Sequence, residues 1–359
     1  MPALSSLLVE EGGEAEVLPI DSVFSIKELL QAIESRKPDV VHFQHEYGIW
    51  GGKNPPFYMF PGLVDSIRCN VAGVICVATA HTVLSSLYRF PVKGRGLQIP
   101  FRALANLFLL PFLRRSWGEK TFGNLDGVIV HSKTQVEAVR ASGCGQVVEI
   151  PHYVYATEKK SVALPQALSN IPENHFVVLV FGFFSPEKGQ DIAIEALAKL
   201  PEHVHLVLAG GVRRKSDRDY YKKCLDKIQE LKLEKRITIT GFVPEEEIAG
   251  HYQRASLVLA PFRETTGSGT LAQAFARGAP VLTSDLILNK EVADRESGSI
   301  DVFEAGSARD CARKIESYIS DVSKLEALKE ASQRYANVNH PDRIAKRHLD
   351  FYKSFFKHS

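Results

Sequence analysis

The stretch FVVLVFGFFSPEKGQ, residues 176–190, decides the fold. Its first six residues are apolar and rich in β-branched valine, and Gly182 ends the run. A loop with Pro186, Lys188 and Gly189 then leads into a helical pattern from Gln190. A short, wholly apolar run bounded by glycine reads as a strand buried on both faces, which is the signature of a parallel sheet covered by helices. The same pattern recurs at VHLVLAG (204–210), RITITGF (236–242), SLVLAP (256–261) and PVLTS (280–284), each followed by a loop and a helical pattern. The second half therefore reads as a Rossmann-like domain.

The first half alternates in the same way. Its expected strands are EAEVLPI (14–20), DVVHF (39–43), VAGVICVATA (71–80), GVIV (127–130) and QVVEI (146–150). A helical pattern, ALSSLLVEEG, stands before them at 3–12, so this domain is expected to lack the opening strand and glycine loop of a doubly wound sheet. At 359 residues the chain exceeds what one core supports, and two domains follow. The boundaries are read as 1–155 and 173–335, with a linker rich in Pro, Lys and Ser at 156–172. A helix at 307–319 and two later helical stretches follow, and Pro341 opens the last of these, 341–359.

Composition narrows the function classes. Lys and Arg number 44 against 42 Asp and Glu, and a formal charge of +2 makes no electrostatic case for nucleic acid. The five cysteines form no CxxC pair or Cys-His cluster, so neither structural zinc nor a disulfide framework is expected. The N-terminus lacks a signal-peptide pattern, and a cytoplasmic location is the expectation. IPFRALANLFLLPFLRRSW (99–117) is too short and too interrupted to span a bilayer. It reads as a crossover helix, or as a peripheral contact with the inner membrane face through its aromatics and Arg114 and Arg115.

Ligands of parallel α/β sheets sit beyond the carboxyl ends of the strands, so the residues after each apolar run are the informative ones. Lys188 places a point charge there, just before a helix start. RETTGSGTLAQAFARGAP (263–280) sets an acid, hydroxyls and glycines before a short apolar helix, a composition that lets an anion approach bare backbone N–H groups. Ser268 alone also reads as an ordinary N-cap. In the first half, HEYGIWGGKN (45–54) and TAHTVLSSLYR (79–89) occupy strand ends. His45 and Glu46 read as an acid/base pair or as a hydrogen-bonded loop. His81 directly follows a strand and is expected to point into a cleft, whereas His42 lies within a strand and reads as core.

Seven motifs in order, VVHFQHEYGIWGG, the Thr-Ala-His at 79–81, DGVIVHS, EIPHYV, GFFSPEKG, ITGFVPEEEI and SGTLAQAFARGAPVL, resemble the retaining glycosyltransferases of the large family 4, with the GT-B fold. The resemblance covers nearly the whole chain. It implies two Rossmann-like domains facing across a cleft, with the last helix packing back on the first. It implies transfer of a hexose from a UDP- or GDP-sugar to a glycan, lipid-linked or small-molecule acceptor, with no metal, cofactor or protein nucleophile. Carried over by motif, His81, Lys188 and Glu264 are the catalytic candidates. Gly182, Arg213, Gly241, Phe242, Val243, Ser268, Gly269, Thr270 and Gln273 join Lys188 around the donor, and His45, Glu46, Gly51 and Gly52 lie on the acceptor side.

The chain departs from the pattern at three places. Gln273 stands where relatives commonly have a ribose-binding glutamate, Glu264 lies one residue early against Thr265, and Phe183 replaces a phosphate-binding arginine that Arg213 or Arg214 would have to supply. These departures keep two rivals open: a noncatalytic GT-B-like nucleotide-sugar-binding or scaffold protein, and a sugar-nucleotide epimerase or hydrolase.

Overall fold

The computed structural model describes residues 5–6, 9, 12–18, 26–50, 59–83, 104, 107–108, 119–154, 162–265 and 269–356. The chain divides into two compact units, Met1–His152 with Asp342–Ser359, and Tyr153–Pro341.

The first unit is built on a parallel sheet whose spatial order follows the sequence: Val40–His45 (β1), Ile75–Ala80 (β2), Gly127–Val130 (β3) and Gln146–Glu149 (β4). Helices Ile26–Arg36 (α1), Phe60–Asn70 (α2) and Lys133–Arg140 (α3) accompany it. α2 buries Phe60, Leu63, Val64 and Ile67, an i, i+3, i+4, i+7 stripe that turns one helical face to the core. α3 starts where it does because the Ser132 hydroxyl accepts the Gln135 amide hydrogen.

Two expectations for this unit change. Residues 14–18 of the expected strand EAEVLPI form no strand, and 19–20 lie outside the described residues. The acids explain it, since Glu14 and Glu16 are exposed and Glu16 pairs with Arg36 at the end of α1. The strand expected over 71–80 begins only at Ile75, because the chain first turns through Gly73 at φ 78°. His42 is a partly buried, satisfied imidazole, bonded to the Thr79 hydroxyl at 2.8 Å and to the Tyr352 hydroxyl.

Tyr352 belongs to the last helix, Pro341–Ser354, most of which is part of the first unit. Arg347 donates to the Glu149 carbonyl at 2.7 Å. Gly127 is required beneath this helix, because a Cβ there would lie 2.7 Å from the Phe351 ring and 2.6 Å from Phe355.

The second unit has a six-stranded parallel sheet: Phe176–Phe181 (β5), Val204–Ala209 (β6), Ile237–Gly241 (β7), Leu257–Ala260 (β8), Val281–Ser284 (β9) and Asp301–Phe303 (β10). Its order is β10-β9-β8-β5-β6-β7. All four central residues of β5 are buried, as are all of β6, β8 and β9, which accounts for the unbroken apolar runs in the sequence. Part of the expected linker is not one. Leu168 and Ile171 are 1% and 6% exposed and sit in the core of this unit, because their apolar side chains find a pocket against Val177 and Tyr252.

Among the described residues no helix is long and apolar enough to cross a membrane. The segment 99–117 lies outside the described residues except for Leu104, Leu107 and Phe108, whose side chains are exposed.

Candidate functional site

The strand order of the second unit has a reversal between β5 and β8: the chain runs from β5 outward to β6 and β7, then returns to the other side for β8, β9 and β10. Ligands of open α/β sheets bind at such a switch point, beyond the carboxyl ends of the two strands. The loops leaving β5 and β8 are the ones that carry Lys188 and the start of RETTGSG.

These two loops are fastened to each other. The Arg263 amide donates to the Glu187 carbonyl at 2.9 Å, and its guanidinium donates to the Pro186 carbonyl at 3.0 Å. The same guanidinium grips both oxygens of Asp191, which Tyr220 holds from the other side at 2.6 Å. Gly189, at φ 69°, lets the chain pass so close that a Cβ would lie 1.9 Å from the Pro261 carbonyl oxygen.

Lys188 is half-buried, with its ammonium 4.3 Å over the centre of the Phe262 ring. Burial holds its pKa below the ordinary lysine value, and Glu187 offsets part of that fall. A cation with few waters to displace, fixed at a switch point, is well placed for an oxyanion.

The expected donor residues separate into two groups. Gly182 follows β5, Gly269 opens the helix Gly269–Ala276, and Glu264 is exposed in the segment between β8 and that helix. Gly241 ends β7 at φ 72° and turns the Phe242 ring outward, 74% exposed. Arg213 lies over the Phe183 ring at 5.5 Å.

Three others face different partners. Thr270 is 8% exposed and donates its hydroxyl to the Phe181 carbonyl at 3.1 Å, so it ties the helix start to β5 instead of offering the hydroxyl to a ligand. Val243 is 8% exposed and packs in the core, because the turn at Gly241 alternates the two side chains that follow. Gln273 is exposed, and its side-chain oxygen accepts from Arg277, which lies over Tyr252. Ser268 lies outside the described residues.

The residue that sequence reading missed here is Arg263. Its position as the first charged residue after β8 was the available signal.

In the first unit, His45 is fully buried, with Tyr47, Phe60 and Phe122 rings 4.9, 4.9 and 5.5 Å away. Burial, with His81 adding to it, pushes its pKa down to about 3. This is the chemistry of a neutral core histidine, not of an acceptor-side acid or base, and the reason is the aromatic wall at the end of β1. Glu46 accepts the Thr82 hydroxyl at 2.8 Å. Gly51 and Gly52 lie outside the described residues.

His81 emerges directly from β2, as expected, and both of its ring nitrogens lie close to neighbouring side chains. Nε2 is 2.8 Å from the Gln44 side-chain oxygen and Nδ1 is 3.3 Å from His131 Nε2. Burial lowers its pKa, and Glu46 works against that fall. His131 and His152, which sequence reading did not single out, stand beside it at the ends of β3 and β4.

Comparisons with known proteins bear on the second unit most directly. Residues 166–335 match the family model of glycosyl transferases group 1. Mannosylfructose-phosphate synthase of Agrobacterium fabrum is 25% identical over 113 residues, which is 30% of this chain and 25% of that protein. The match thus spans a quarter of the curated relative's length. Among solved structures, Anabaena HepE in complex with UDP superposes with a TM-score of 0.65 at 21% identity, over 92% of this chain and 82% of that one. Sucrose-phosphate synthase of Thermosynechococcus elongatus superposes with a TM-score of 0.67 at 16% identity, over 99% and 92%. At these identities the superpositions establish the fold, and the family model establishes the domain. The chain has the GT-B fold of two Rossmann-like domains, and within its second unit residues 166–335 match the glycosyl transferases group 1 model.

Proposed function

We propose that the protein is a retaining glycosyltransferase that moves a hexose from a UDP- or GDP-sugar to a glycan, lipid-linked or small-molecule acceptor. One observation carries this reading: the loops after β5 and β8 meet at the switch point with Lys188 fixed over Phe262 between them. The structures of HepE with UDP and with UDP-glucose support it by likeness of fold.

In this scheme Lys188 neutralises the departing diphosphate, with help from Arg213 and from the backbone N–H groups that open the helix at Gly269. Charge accumulates on the leaving group as the glycosidic bond breaks, so donors fixed in advance at that point lower the barrier without reorganising. The exposed Phe242 ring stacks on the base, and Glu264 accepts from sugar hydroxyls. The diphosphate needs no metal where a lysine and helix N–H groups supply the positive charge.

The test is calorimetric titration of UDP and GDP, with and without chelator, into the wild-type chain and Lys188→Ala. The reading expects one nucleotide to bind without metal and Lys188→Ala to lose affinity by about tenfold or more, equivalent to about 1.4 kcal/mol. Equal affinity in the variant would sink the role given to Lys188. Mass-spectrometric detection of sugar transfer from the nucleotide that binds then separates transferase from noncatalytic binder.

A further inference from the structure

His81, His131 and His152 are 50 and 21 residues apart in sequence, yet they converge because they follow three neighbouring strands. His81 is the first residue after β2, His131 the first after β3, and His152 leaves β4 by way of Ile150 and Pro151. One ring nitrogen from each lies within 4.8 Å of the other two.

The tautomers of the inner pair follow from their other partners. His131 Nδ1 is 2.8 Å from the Ile150 carbonyl oxygen, which only accepts, so Nδ1 carries the proton and Nε2 presents a lone pair. His81 Nε2 is 2.8 Å from the Gln44 side-chain oxygen, so its proton is there and Nδ1 presents a lone pair. The Gln44 amide orientation is consistent, since its nitrogen faces His42 Nε2 at 3.4 Å. The two lone-pair nitrogens, His81 Nδ1 and His131 Nε2, face each other at 3.3 Å. Two such nitrogens repel unless a proton or a cation lies between them.

The spacing suits a metal ion: two nitrogens at 2.0–2.1 Å from a tetrahedral centre lie about 3.3 Å apart. The Ile150 carbonyl and the Gln44 side-chain oxygen each stand behind one ring, where an acceptor orients a metal-bound imidazole.

We propose that His81, His131 and His152 form a binding site for a zinc-class divalent transition-metal ion in the first unit. Three imidazoles and no carboxylate select zinc, cobalt, nickel or copper over magnesium and calcium. His152 is exposed and stacks on His131 at 3.6 Å between ring centroids, so metal capture turns its ring out of the stack and onto the ion. Three protein ligands leave a fourth position for water or a small anion. The proposal is independent of the donor reading of the second unit and stands or falls without it.

The experiment is titration of the chelator-treated full chain with Co²⁺, followed by its visible ligand-field bands, then displacement with Zn²⁺. The site expects saturation at one equivalent with the strong bands of a tetrahedral ion, no competition from Mg²⁺, and loss of affinity by more than about tenfold in His152→Ala and in His131→Ala. His152→Ala removes an exposed side chain and keeps the fold, which circular dichroism verifies. Failure of the folded wild-type chain to take up Co²⁺ or Zn²⁺ overturns the proposal, as does unchanged affinity in folded His152→Ala.

Discussion

Arg263 holds Asp191 through both arms of its guanidinium, Nη1 to Oδ1 and Nη2 to Oδ2, each at 2.8 Å. The pair joins the loop after β8 to the first turn of the helix after β5, on either side of the switch point. Bidentate geometry fixes orientation as well as distance. Its direct worth to stability is small, because the arginine side chain is 40% exposed. Arg263→Ala is therefore expected to weaken nucleotide binding by about tenfold while unfolding free energy falls by no more than about 1 kcal/mol. Calorimetry and urea titration on the same variant compare the two. Arg263→Lys should not restore affinity, since one ammonium cannot serve both Asp191 oxygens and the Pro186 carbonyl.

Gly189→Ala is expected to do the opposite, damaging stability and binding together. The backbone is left-handed at φ 69°, and the added methyl would meet a carbonyl oxygen of the backbone, which has no rotamer by which to escape. A loss of roughly 2 to 3 kcal/mol in urea titration is expected. A variant that melts with wild-type cooperativity and midpoint would show that the two loops do not depend on each other.

Acid sensitivity should come in part from His205. It is 7% exposed, bonds Thr238 on the next strand at 2.9 Å, and has its pKa pushed down to about 4 by burial first, then by His175 and two arginines. A depressed folded value means the unfolded chain takes up the proton first, near pH 6.5. Its contribution is complete above that point and is lost as pH falls toward the folded value of about 4. His205→Thr, which removes the titrating ring, is expected to flatten the fall in stability between pH 6.5 and 4 by up to about 3 kcal/mol. Urea midpoints measured across that window, against those of the wild type, give the difference directly.

Phe242 exposes most of its ring immediately after the turn at Gly241. An exposed aromatic contributes little to the core, so Phe242→Ala is expected to leave the melting temperature unchanged. Loss of stacking on a base is worth about 1–3 kcal/mol, so nucleotide affinity should drop by at least about fivefold. Unchanged affinity would remove Phe242 from the donor site while leaving Lys188 in place.

Much of the second unit was legible in the residues. FVVLVFG, VHLVLAG and SLVLAP are central strands buried on both faces, so each leaves an uninterrupted apolar run that needs no tertiary knowledge to read. The first unit was harder. EAEVLPI carries alternation enough to suggest a strand, but its acids are more stable in water, paired with Arg36, than in a ladder. The apolar pattern of Leu168 and Ile171 was masked by the proline and asparagine around them.

Site residues divided along a similar line. Lys188 and Gly182 were read from their position after an apolar run, and the structure places both in the segment that leaves β5. Thr270 and Val243 were chosen by motif position, and their side chains turned instead to Phe181 and the core, since a hydroxyl or an isopropyl group goes where burial and hydrogen bonding are best satisfied.

The class of fold could be read along the chain, because hydrophobic periodicity is a local property and buried strands alternate with helices in the sequence. The cation at the end of β5 could be read there too. Which strand ends meet depends on the pairing order of the sheet. The order β8-β5 set Arg263 against Asp191, and the order β2-β3-β4 set His81 beside His131 and His152, residues with no spacing motif among them. Strands in a sheet lie under 5 Å apart whatever their separation in sequence, so pairing order alone brings such groups within reach of one ion or one anion.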